Sequence, residues 1–394
     1  MISKLSNPDV IEFIQENLNE DPSTLVLKGA NYPDLPIKEI AVQIASRQKA
    51  RKKLPEWYKN KMLIFPPKEN LEQASSQETA KYKASLYSGD SVLDLTGGTG
   101  IDLFYLSQNF KKSLYVESSI ELSELAKHNF SVLGADIQVN QYRAEDFIAN
   151  TDKQFDLIYL DPSRRSESNQ RLVQIQDYQP NIISILPHLM EKGRTVVVKV
   201  SPMVDIRQSI KQFKYVSKVI CLAVRNEMKE VLIELKKEGN ETPVIETVNI
   251  KLSGIDCFKG TALDENNAIS TFSSLKKYIY ESNSAIRKAG FYKLIGERFK
   301  LDKLDPNTHL YTSDDLINEF PGRILTIKEI IKPDKKTLKK QIPSRVINVI
   351  SKNYPLNANE IRKKYQLIDG GDDFLVFCTV FELGKICLRC SRRL

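Results

Sequence analysis

Short apolar runs alternate with helical segments from about residue 90 onward, and this pattern restricts the fold of the 394-residue chain more than any other feature. The predicted strands are Ser91–Leu95, Ser113–Glu117, Ile137–Asn140, Leu157–Leu160, Thr195–Val200, Val219–Val224 and Val231–Leu235. A helical segment follows each of the first five, and a short turn separates the last two. Five parallel strand–helix units closed by a hairpin form a doubly wound, Rossmann-like α/β sheet of seven strands.

A glycine loop, residues 94–100, connects the first predicted strand to a predicted helix, Ile101–Gln108. Its sequence is Asp94-Leu95-Thr96-Gly97-Gly98-Thr99-Gly100. Ligands of open parallel sheets bind at the carboxyl ends of the strands, and glycine lets the backbone approach them closely. The third glycine of a dinucleotide fingerprint is missing, because Leu103 stands in its place. An acid at the strand end suits the cationic methionine end of S-adenosylmethionine better than it suits a pyrophosphate.

Acidic residues also stand near the ends of the next three strands. Glu117 suits a bidentate hydrogen bond to two ribose hydroxyls. Asp146 is placed to accept a hydrogen bond from an adenine amino group, and Asp161 follows the fourth strand. Each feature is weak alone, but their order along successive strands predicts a nucleoside site.

The fourth strand leads into the predicted catalytic segment, Asp161-Pro162-Ser163-Arg164. Amino-methyltransferases have an acid or amide here, then two prolines and an aromatic ring. The acid accepts a hydrogen bond from the exocyclic amine, and the ring stacks on the base. In this chain arginine replaces the ring. Arg164 and Arg165 either stack on a base or clamp a phosphate, or they pair with acids at the sheet edge.

The chemistry of the acceptor atom is restricted by the cysteines. Methyl transfer to carbon 5 of a pyrimidine needs a cysteine nucleophile. Within the same predicted domain only Cys221 is present, on a later apolar strand, which disfavours that reaction. Transfer to nitrogen or oxygen depends on positioning, with Asp161 as hydrogen-bond acceptor or weak base.

In these motifs, residues 90–235 resemble the class I S-adenosylmethionine-dependent methyltransferases. The whole chain is similar to a bacterial family that joins this domain to a helical N-terminal segment and a C-terminal THUMP-like domain. The matching segments are Lys53-Leu54-Pro55-Glu56-Trp57, Glu72-Gln73-Ala74-Ser75-Ser76, the glycine loop, residues 160–165 and Leu367-Ile368-Asp369-Gly370-Gly371. The resemblance implies that S-adenosyl-L-methionine is bound by Asp94, Thr96, Gly97, Gly98, Gly100, Glu117, Asp146 and Asp161. Thr96 departs from the common loop, which has glycine there, so its backbone must tolerate a side chain.

Two groups of residues near these motifs have two interpretations each. Ser75 or Ser76 caps the helix before the first strand, with Glu78 completing a capping box from Ser75, or this helix end packs over the cofactor. Both can hold. Lys199 ends the fifth strand, and we expect a structural or solvated role for it rather than one in the acceptor pocket.

The length of the chain predicts several domains. We expect a helical segment (1–75), the methyltransferase domain (76–238), a small α+β domain for which a ferredoxin-like arrangement is one option (239–325), and a basic THUMP-like α+β domain (326–394). The five cysteines form no disulfide framework, and no apolar run approaches the roughly 20 residues of a membrane span. These features predict a cytoplasmic protein without a membrane partner. Cys378, Cys387 and Cys390 lack a fourth zinc ligand nearby, so alternating strand positions explain them better than a metal.

Positive charge is concentrated near the C-terminus of a chain whose net charge is +8. Between residues 328 and 364 there are eleven lysines and arginines and three acidic residues. Such clustering is typical of surfaces that bind phosphate backbones, although a merely soluble lysine-rich face is the alternative. The basic stretch 47–53 likewise indicates a solvated helix end or a surface that faces nucleic acid. The similarity to THUMP-like domains, whose relatives bind structured RNA, favours RNA.

Three functional hypotheses follow. The first is an RNA methyltransferase that modifies a base nitrogen. The second is a methyltransferase of a protein or small molecule, and the third is a non-catalytic RNA-binding or assembly factor that keeps a cofactor pocket. The sequence leaves the oligomeric state open.

Overall fold

The computed structural model describes residues 2–164 and 178–393, apart from the side chain of Arg164. The chain divides into two compact units, residues 1–219 with 229–241 and residues 220–228 with 242–394. Each unit buries its own apolar side chains.

Helices form the first part of the first unit. They are α1 Ile2–Leu5, α2 Pro8–Glu16, α3 Pro22–Leu27, α4 Ile37–Lys53, α5 Pro55–Lys59, α6 Lys68–Gln73 and α7 Gln77–Leu86. Asn7 caps α2, because its Oδ1 accepts a hydrogen bond of 2.9 Å from the N–H of Asp9. Helix α4 begins directly after Pro36.

The basic stretch 47–53 at the end of α4 does not act as one surface. Arg47 is buried and donates hydrogen bonds of 2.6 Å to the carbonyls of Lys61 and Leu63. These bonds tie the loop after α5 to α4. Neither sequence interpretation therefore holds for Arg47, while Arg51 and Lys52 are exposed as expected.

The central sheet of the first unit confirms the predicted α/β class. Its strands and the two short strands beside it are β1 Gly89–Asp94, β2 Phe110–Glu117, β3 Ile137–Gln141, β4 Phe155–Leu160, β5 Ser163–Arg164, β6 Tyr178–Gln179, β7 Gly193–Val200, β8 Val216–Val224 and β9 Glu227–Leu235. The strand order is β8-β9-β7-β4-β1-β2-β3. Strands β3, β2, β1, β4 and β7 are parallel, and β9 runs antiparallel to β7. The connecting helices are α8 Ile101–Ser107, α9 Ile120–Val132, α10 Ala144–Asn150, α11 Ile182–Lys192 and α12 Ile206–Gln212.

The second unit begins with the tip of the β8–β9 hairpin and contains a second sheet. Its later elements are β10 Val244–Lys251, β11 Gly254–Gly260, α13 Ala262–Asn267, β12 Tyr278–Ser282, α14 Ser284–Ala289, α15 Leu294–Arg298, β13 Asp302–Asp305, β14 Thr308–Ser313, β15 Gly322–Ile331, α16 Lys335–Gln341, β16 Asn348–Lys352, α17 Ala358–Tyr365, β17 Asp373–Val380 and β18 Gly384–Arg392. Strand β10 lies beside the part of β8 that belongs to this unit and pairs with β11, which adds two strands to the seven predicted. The separate sheet has the order β13-β14-β12-β15-β18-β17-β16.

The separate sheet of the second unit has two apolar faces. Helices α16 and α17 pack on one face, where Leu338 and Ile361 join Cys387 in a buried cluster. Cys378 and Cys390 lie in the cluster on the other face. The three cysteines thus alternate along strands, as predicted, and cannot surround one ion.

No helix among residues 2–164 and 178–393 is long and apolar enough to cross a membrane.

Candidate active site

The carboxyl ends of β1 and β4 lie side by side where the strand order reverses, since Asp94 pairs with Tyr159 across these strands. Parallel αβ sheets bind ligands at such a point. The glycine loop follows β1 here, and the segment that begins with Asp161 follows β4. The sequence prediction of a site between these two segments matches this geometry.

Two glycines of the loop are required by the side chains behind them. A Cβ at Gly97 would lie 2.1 Å from the ring of Tyr115, and one at Gly100 would lie 2.6 Å from the ring of Phe130. Gly100 also has a φ of +75°, which favours glycine. These contacts hold the loop against β2 and α9, so both residues serve the shape of the loop.

Gly98 differs from Gly97 and Gly100, because a side chain at this position would enter open space. A Cβ there would meet only the carbonyl oxygen of Thr96, at 3.7 Å, although the φ of +52° still favours glycine. The N–H of Gly98 donates a 3.0 Å hydrogen bond to Oε2 of Glu117. The other oxygen of Glu117 accepts from the N–H of Ser119 at 2.9 Å. Oε1 also accepts from the Ser118 hydroxyl at 3.2 Å. Glu117 is thereby fixed beside the open part of the loop, and its Oε2 keeps a lone pair for a further donor.

Thr96 links the loop to the segment after β4. Its Oγ1 accepts a 2.6 Å hydrogen bond from the backbone N–H of Asp161. Its backbone is not in the left-handed region, as the sequence analysis required of a residue other than glycine. The hydroxyl explains why this chain departs from the common glycine, since glycine would leave the Asp161 N–H without this acceptor.

Asp94 is a buried carboxylate with no cationic partner among the described residues. It is 2% exposed, and its Oδ1 accepts a 3.1 Å hydrogen bond from the N–H of Thr96. Burial raises the pKa of Asp94 well above its usual range, and the nearby charges of Asp102 and Asp161 raise it further. A cationic ligand group beside Asp94 would supply the missing charge and reverse this shift.

Asp102, in the first turn of α8, is buried like Asp94 but has cationic partners. Its Oδ1 lies 3.0 Å from the amine of Lys83, in an ion pair without hydrogen-bond geometry. Its Oδ2 accepts from the hydroxyls of Ser75 at 2.8 Å and Tyr159 at 2.7 Å. Burial opposes ionisation, but Lys83 and Lys199 outweigh it and lower the pKa of Asp102 to about 2.

Lys199 connects this buried network to the candidate catalytic acid. Its amine lies 2.5 Å from Oδ2 of Asp161, 3.8 Å from Asp102 and 3.3 Å from the hydroxyl of Ser75. Burial alone would lower the pKa of Lys199, but the carboxylates of Asp161 and Asp102 raise it above its usual range. Lys199 therefore stays protonated. The sequence analysis expected a structural or solvated lysine, and the structure places it against Asp161.

Ser75 and Ser76 have separate roles at the start of α7. Ser76 is the cap, because its hydroxyl accepts from the N–H of Thr79 at 3.2 Å. The predicted capping box from Ser75 to Glu78 is wrong, since the Ser75 hydroxyl instead donates to Asp102 and accepts from Lys83 at 2.7 Å. This helix end thus packs into the network behind the site.

Of the other predicted residues, Asp146, Pro162 and Ser163 make no side-chain hydrogen bond or ion pair with this cluster among the described residues. Asp146 is exposed in the first turn of α10. Pro162 is buried, and Ser163 is exposed on β5. The side chain of Arg164 and the whole of Arg165 lie outside the described residues, so the two arginine interpretations stay predictions. Cys221 is fully buried.

The sequence analysis missed the lysine–carboxylate network. Lys83 is 1% exposed and bridges Asp102 and Glu230, whose Oε1 lies 2.7 Å from its amine. A lysine in a short helix and an acid in the first turn of another resemble solvated residues in sequence. The one available signal is Asp102 itself, which stands two residues after the glycine loop on the side of the helix that faces the sheet. The described residues contain no cluster of metal-ligating side chains.

Three segments of the chain match sequence models of known families. Residues 70–221 match the family described as conserved hypothetical protein 95. Residues 278–321 match a ferredoxin-like domain, and residues 322–392 match a THUMP-like domain.

Individual relatives extend these matches. Proteins from two strains of Mycobacterium tuberculosis, both described as uncharacterised S-adenosylmethionine-dependent methyltransferases, are 24% identical over 251 residues. That match covers 63% of this chain and 65% of each relative, so the chain spans slightly less than two thirds of their length. A crystal structure of a candidate methyltransferase from Porphyromonas gingivalis W83 is 29% identical, with a TM-score of 0.88 over 98% of both chains. The fold of the whole chain is therefore shared with that protein.

Proposed function

We propose that this chain, which belongs to the class I S-adenosylmethionine-dependent methyltransferases that carry a THUMP-like domain, transfers a methyl group to a base nitrogen of structured RNA. The observation that carries the proposal is the pair of acids at the switch point of the sheet. Asp94 is buried and has no cationic partner in the described part of the chain, and Asp161 beside it is held by one cation, Lys199.

The residues around Asp94 fit S-adenosylmethionine. The sulfonium and amino groups of the cofactor are cationic, and Asp94 is a carboxylate without a positive partner among residues 2–163 and 178–393. Glu117 is fixed next to the open loop position at Gly98, where it suits the ribose hydroxyls. When bound, the cofactor supplies an electrophilic methyl group. Thr96, Gly97 and Gly100 shape the loop that would surround it.

Asp161 has the properties of a residue that orients a methyl acceptor. Its side chain is 37% exposed, whereas the side chain of Lys199 is 9% exposed, so an acceptor can reach the carboxylate but not the amine. The protonated Lys199 and the Thr96 hydroxyl hold Asp161 from two sides. An immobilised carboxylate accepts a hydrogen bond from an N–H donor and orients the nitrogen lone pair away from it. This arrangement supports an amino or ring N–H group as acceptor.

The proposed RNA partner is supported by the second unit. Residues 322–392 match a THUMP-like domain, and α16 exposes Lys335, Lys336, Lys339 and Lys340. Helix α17, which packs in the same apolar cluster, exposes Lys363 and Lys364. Among the described residues, none of these six lysines has an acidic partner. An exposed, uncompensated set of this kind favours a polyanion.

We keep the remaining sequence predictions as part of this proposal. Asp146 would accept a hydrogen bond from the adenine, Pro162 and Ser163 would shape the acceptor pocket, and Arg164 would contact the base or a phosphate. The division at residues 75, 238 and 325 is likewise proposed.

The decisive experiment measures cofactor binding and methyl transfer separately. Titration calorimetry with S-adenosylmethionine tests the pocket. Incubation with methyl-tritiated cofactor and total RNA from cells that lack the protein tests the acceptor. We expect binding and RNA labelling by the wild type, and binding without labelling by Asp161→Ala. Label that appears only in protein or metabolites would refute RNA as the substrate, and no cofactor binding at all would refute the methyltransferase proposal.

A further inference from the structure

Three cations converge on one buried carboxylate in the second unit, far along the sequence from the residues of the candidate active site. Glu281 on β12 is 7% exposed. Its Oε1 lies 3.0 Å from the amine of Lys352 and 3.6 Å from the guanidinium of Arg287, and its Oε2 lies 3.2 Å from the guanidinium of Arg323. Among the described residues, Glu281 is the sole acidic partner of each of these cations.

The positions of the four residues follow from the sheet. Glu281 and Arg323 are directly paired across β12 and β15, so their side chains stand on the same face. The side chains of Ile279, Leu325 and Ile350 lie on the same face of the sheet, in one buried cluster. Lys352 follows Ile350 by two residues on β16 and shares its side of the strand. Arg287 enters from α14, which begins directly after β12.

The charges of this cluster do not balance. Three positive groups face one negative group, which leaves an excess of two positive charges. Burial opposes the ionisation of Glu281, but attraction to Lys352, Arg287 and Arg323 lowers its pKa. The carboxylate is therefore ionised, and the excess of two positive charges already includes its negative charge. A purely structural buried ion pair needs one cation, and each additional one adds repulsion in a medium of low dielectric constant.

A neighbouring histidine lies near two of the same cations. His309 stacks on Tyr292 at a centroid distance of 3.7 Å. Burial first, and then repulsion from Lys303, Lys352 and Arg287, lowers the pKa of His309 to about 4.

The three cationic side chains are also reachable. Lys352, Arg287 and Arg323 are 25%, 24% and 31% exposed, in contrast to the buried acid at their centre. Glu281 therefore holds the cations in place from inside, and their outer sides face solvent. Two guanidinium groups and one amine arranged around one point match the oxygen atoms of a phosphate group, which arginine binds bidentately.

We propose that Arg287, Arg323 and Lys352, positioned by Glu281, bind a phosphate group. The inference rests on the proposed function only for the source of that phosphate, which would be a phosphodiester of the RNA substrate. A free phosphate ester is the other source of the same chemistry. The site lies in the segments that match the ferredoxin-like and THUMP-like domains.

The test compares the affinity for inorganic phosphate in four variants at constant ionic strength, by calorimetry on the full chain. Lys352→Gln removes one cation of the site, and we expect phosphate affinity to fall about tenfold. Lys352→Arg keeps the charge and should lose less than about threefold. Lys251→Gln removes one exposed charge from β10, outside the lysines of α16 and α17, and controls for long-range attraction, so its affinity should match the wild type.

Glu281→Gln makes the opposite change in charge to Lys352→Gln. It removes the negative charge at the centre, and we expect phosphate to bind at least about threefold more tightly and to raise the melting temperature more than in the wild type. Loss of folding cannot produce this result. No measurable phosphate binding by the wild type, or equal losses in Lys352→Gln and Lys251→Gln, would overturn the site.

The source of the phosphate is tested with a fluorescent single-stranded 12-nucleotide RNA. If the site takes a backbone phosphate, Lys352→Gln weakens RNA binding and reduces the slope of log K against log salt by about 0.7, while Lys251→Gln serves as the surface control. A change in phosphate affinity without any change for the RNA would overturn RNA as the source and leave a phosphate ester site. Calorimetry with S-adenosylmethionine on the same variants reports on the proposed methyltransferase separately, because none of these residues lies near the glycine loop in sequence or shares its unit.

Discussion

The amine of Lys199 lies 2.5 Å from a carboxylate oxygen of Asp161, and the lysine is buried while the acid is partly exposed. Lys199 contacts Asp102 and Ser75 on the buried side of this ion pair. Asp161 lies on the exposed side, from which a methyl acceptor would arrive. Lys199 is therefore a positioning residue that fixes a charged acceptor of hydrogen bonds.

Replacement of Lys199 by methionine should lower the rate of methyl transfer and leave cofactor affinity nearly unchanged. The substitution keeps the length of the side chain but removes the charge that immobilises Asp161. We expect kcat to fall about 100-fold, with the dissociation constant of S-adenosylmethionine within about threefold of the wild type.

The matched control is Lys111→Met, which removes an exposed lysine paired with Asp90 on the same sheet and should leave kcat unchanged. A purely structural role for Lys199 predicts equal losses of kcat and cofactor binding together with a lower melting temperature. That result would contradict a positioning role.

Replacement of Asp94 by asparagine should stabilise the free protein and remove cofactor binding. The pKa of Asp94 is raised in the folded state, so folding favours the protonated acid and stability falls as pH rises from the unfolded pKa of about 3.8 through the folded value. Above that window the carboxylate imposes its full cost, which asparagine avoids while its oxygen still accepts from the Thr96 N–H. We expect a gain of about 1–3 kcal/mol at pH 7.5.

Chemical unfolding with and without S-adenosylmethionine measures both effects. The cofactor should stabilise the wild type and not the variant. Asp90→Asn changes an exposed acid on the same strand and should do neither. A variant that is less stable than the wild type without cofactor would show that Asp94 is not an unpaired carboxylate.

The parts of this site that the sequence predicts are those set by local order along the chain. Asp94 and Glu117 end a strand, and Gly98 and Asp161 come shortly after one. Because the carboxyl ends of parallel strands meet at one edge, the positions of these residues follow from strand order. The neighbouring strands β4 and β7 also bring Lys199 to Asp161, although a structural or solvated lysine was expected.

The network behind the site depends on contacts between distant segments and has no local signature. Lys83, Asp102 and Glu230 come from α7, α8 and β9, and each resembles an ordinary surface residue within its own element. The capping-box prediction at Ser75 failed for this reason, since the pattern of a cap does not reveal that the hydroxyl is needed by a buried acid. The Glu281 cluster likewise brings together residues up to 71 positions apart, from Glu281 to Lys352.

Acid should weaken the first unit through Asp102. The folded pKa of this group is about 2, below its unfolded value of about 3.8, so its stabilising contribution is present above about pH 4 and is lost as pH falls towards 2. The contribution is about 2 kcal/mol. Asp102→Asn should therefore be less stable than the wild type at pH 6, and the difference should shrink at pH 2.5.

Urea unfolding at these two pH values checks the prediction. Asp90→Asn serves as a control for a general effect of removing an acid. A stability difference for Asp102→Asn that stays constant with pH would assign the effect to packing instead of charge.

The glycines of the loop should respond to alanine in different ways. Gly100→Ala places a methyl group 2.6 Å from the Phe130 ring at a φ of +75°, and we expect a loss of stability of at least about 3 kcal/mol. Gly98→Ala meets no atom closer than 3.7 Å and should cost only about 1 kcal/mol from its positive φ. Its added methyl group points into the space proposed for the cofactor, so calorimetry should show at least a tenfold loss of S-adenosylmethionine affinity in a folded protein. Unchanged affinity in Gly98→Ala would place the cofactor elsewhere.

The hydroxyl of Thr96 should contribute to catalysis because it anchors the backbone of Asp161. Thr96→Val is nearly the same shape but cannot accept the 2.6 Å hydrogen bond from the Asp161 N–H. An unpaired N–H at this position costs about 1–3 kcal/mol, and the segment can avoid that cost by moving to reach water. Such a movement would displace the Asp161 carboxylate from the methyl acceptor.

We expect kcat to fall about 10–100-fold in Thr96→Val, whereas Thr96→Ser, which keeps the oxygen, should retain most of the activity. Thr96→Gly, which restores the common loop sequence, should behave like valine, because what matters at this position is the oxygen atom and not the conformational freedom of glycine. Equal activity of the valine, glycine and serine variants in the tritium assay would show that the hydrogen bond does not position Asp161.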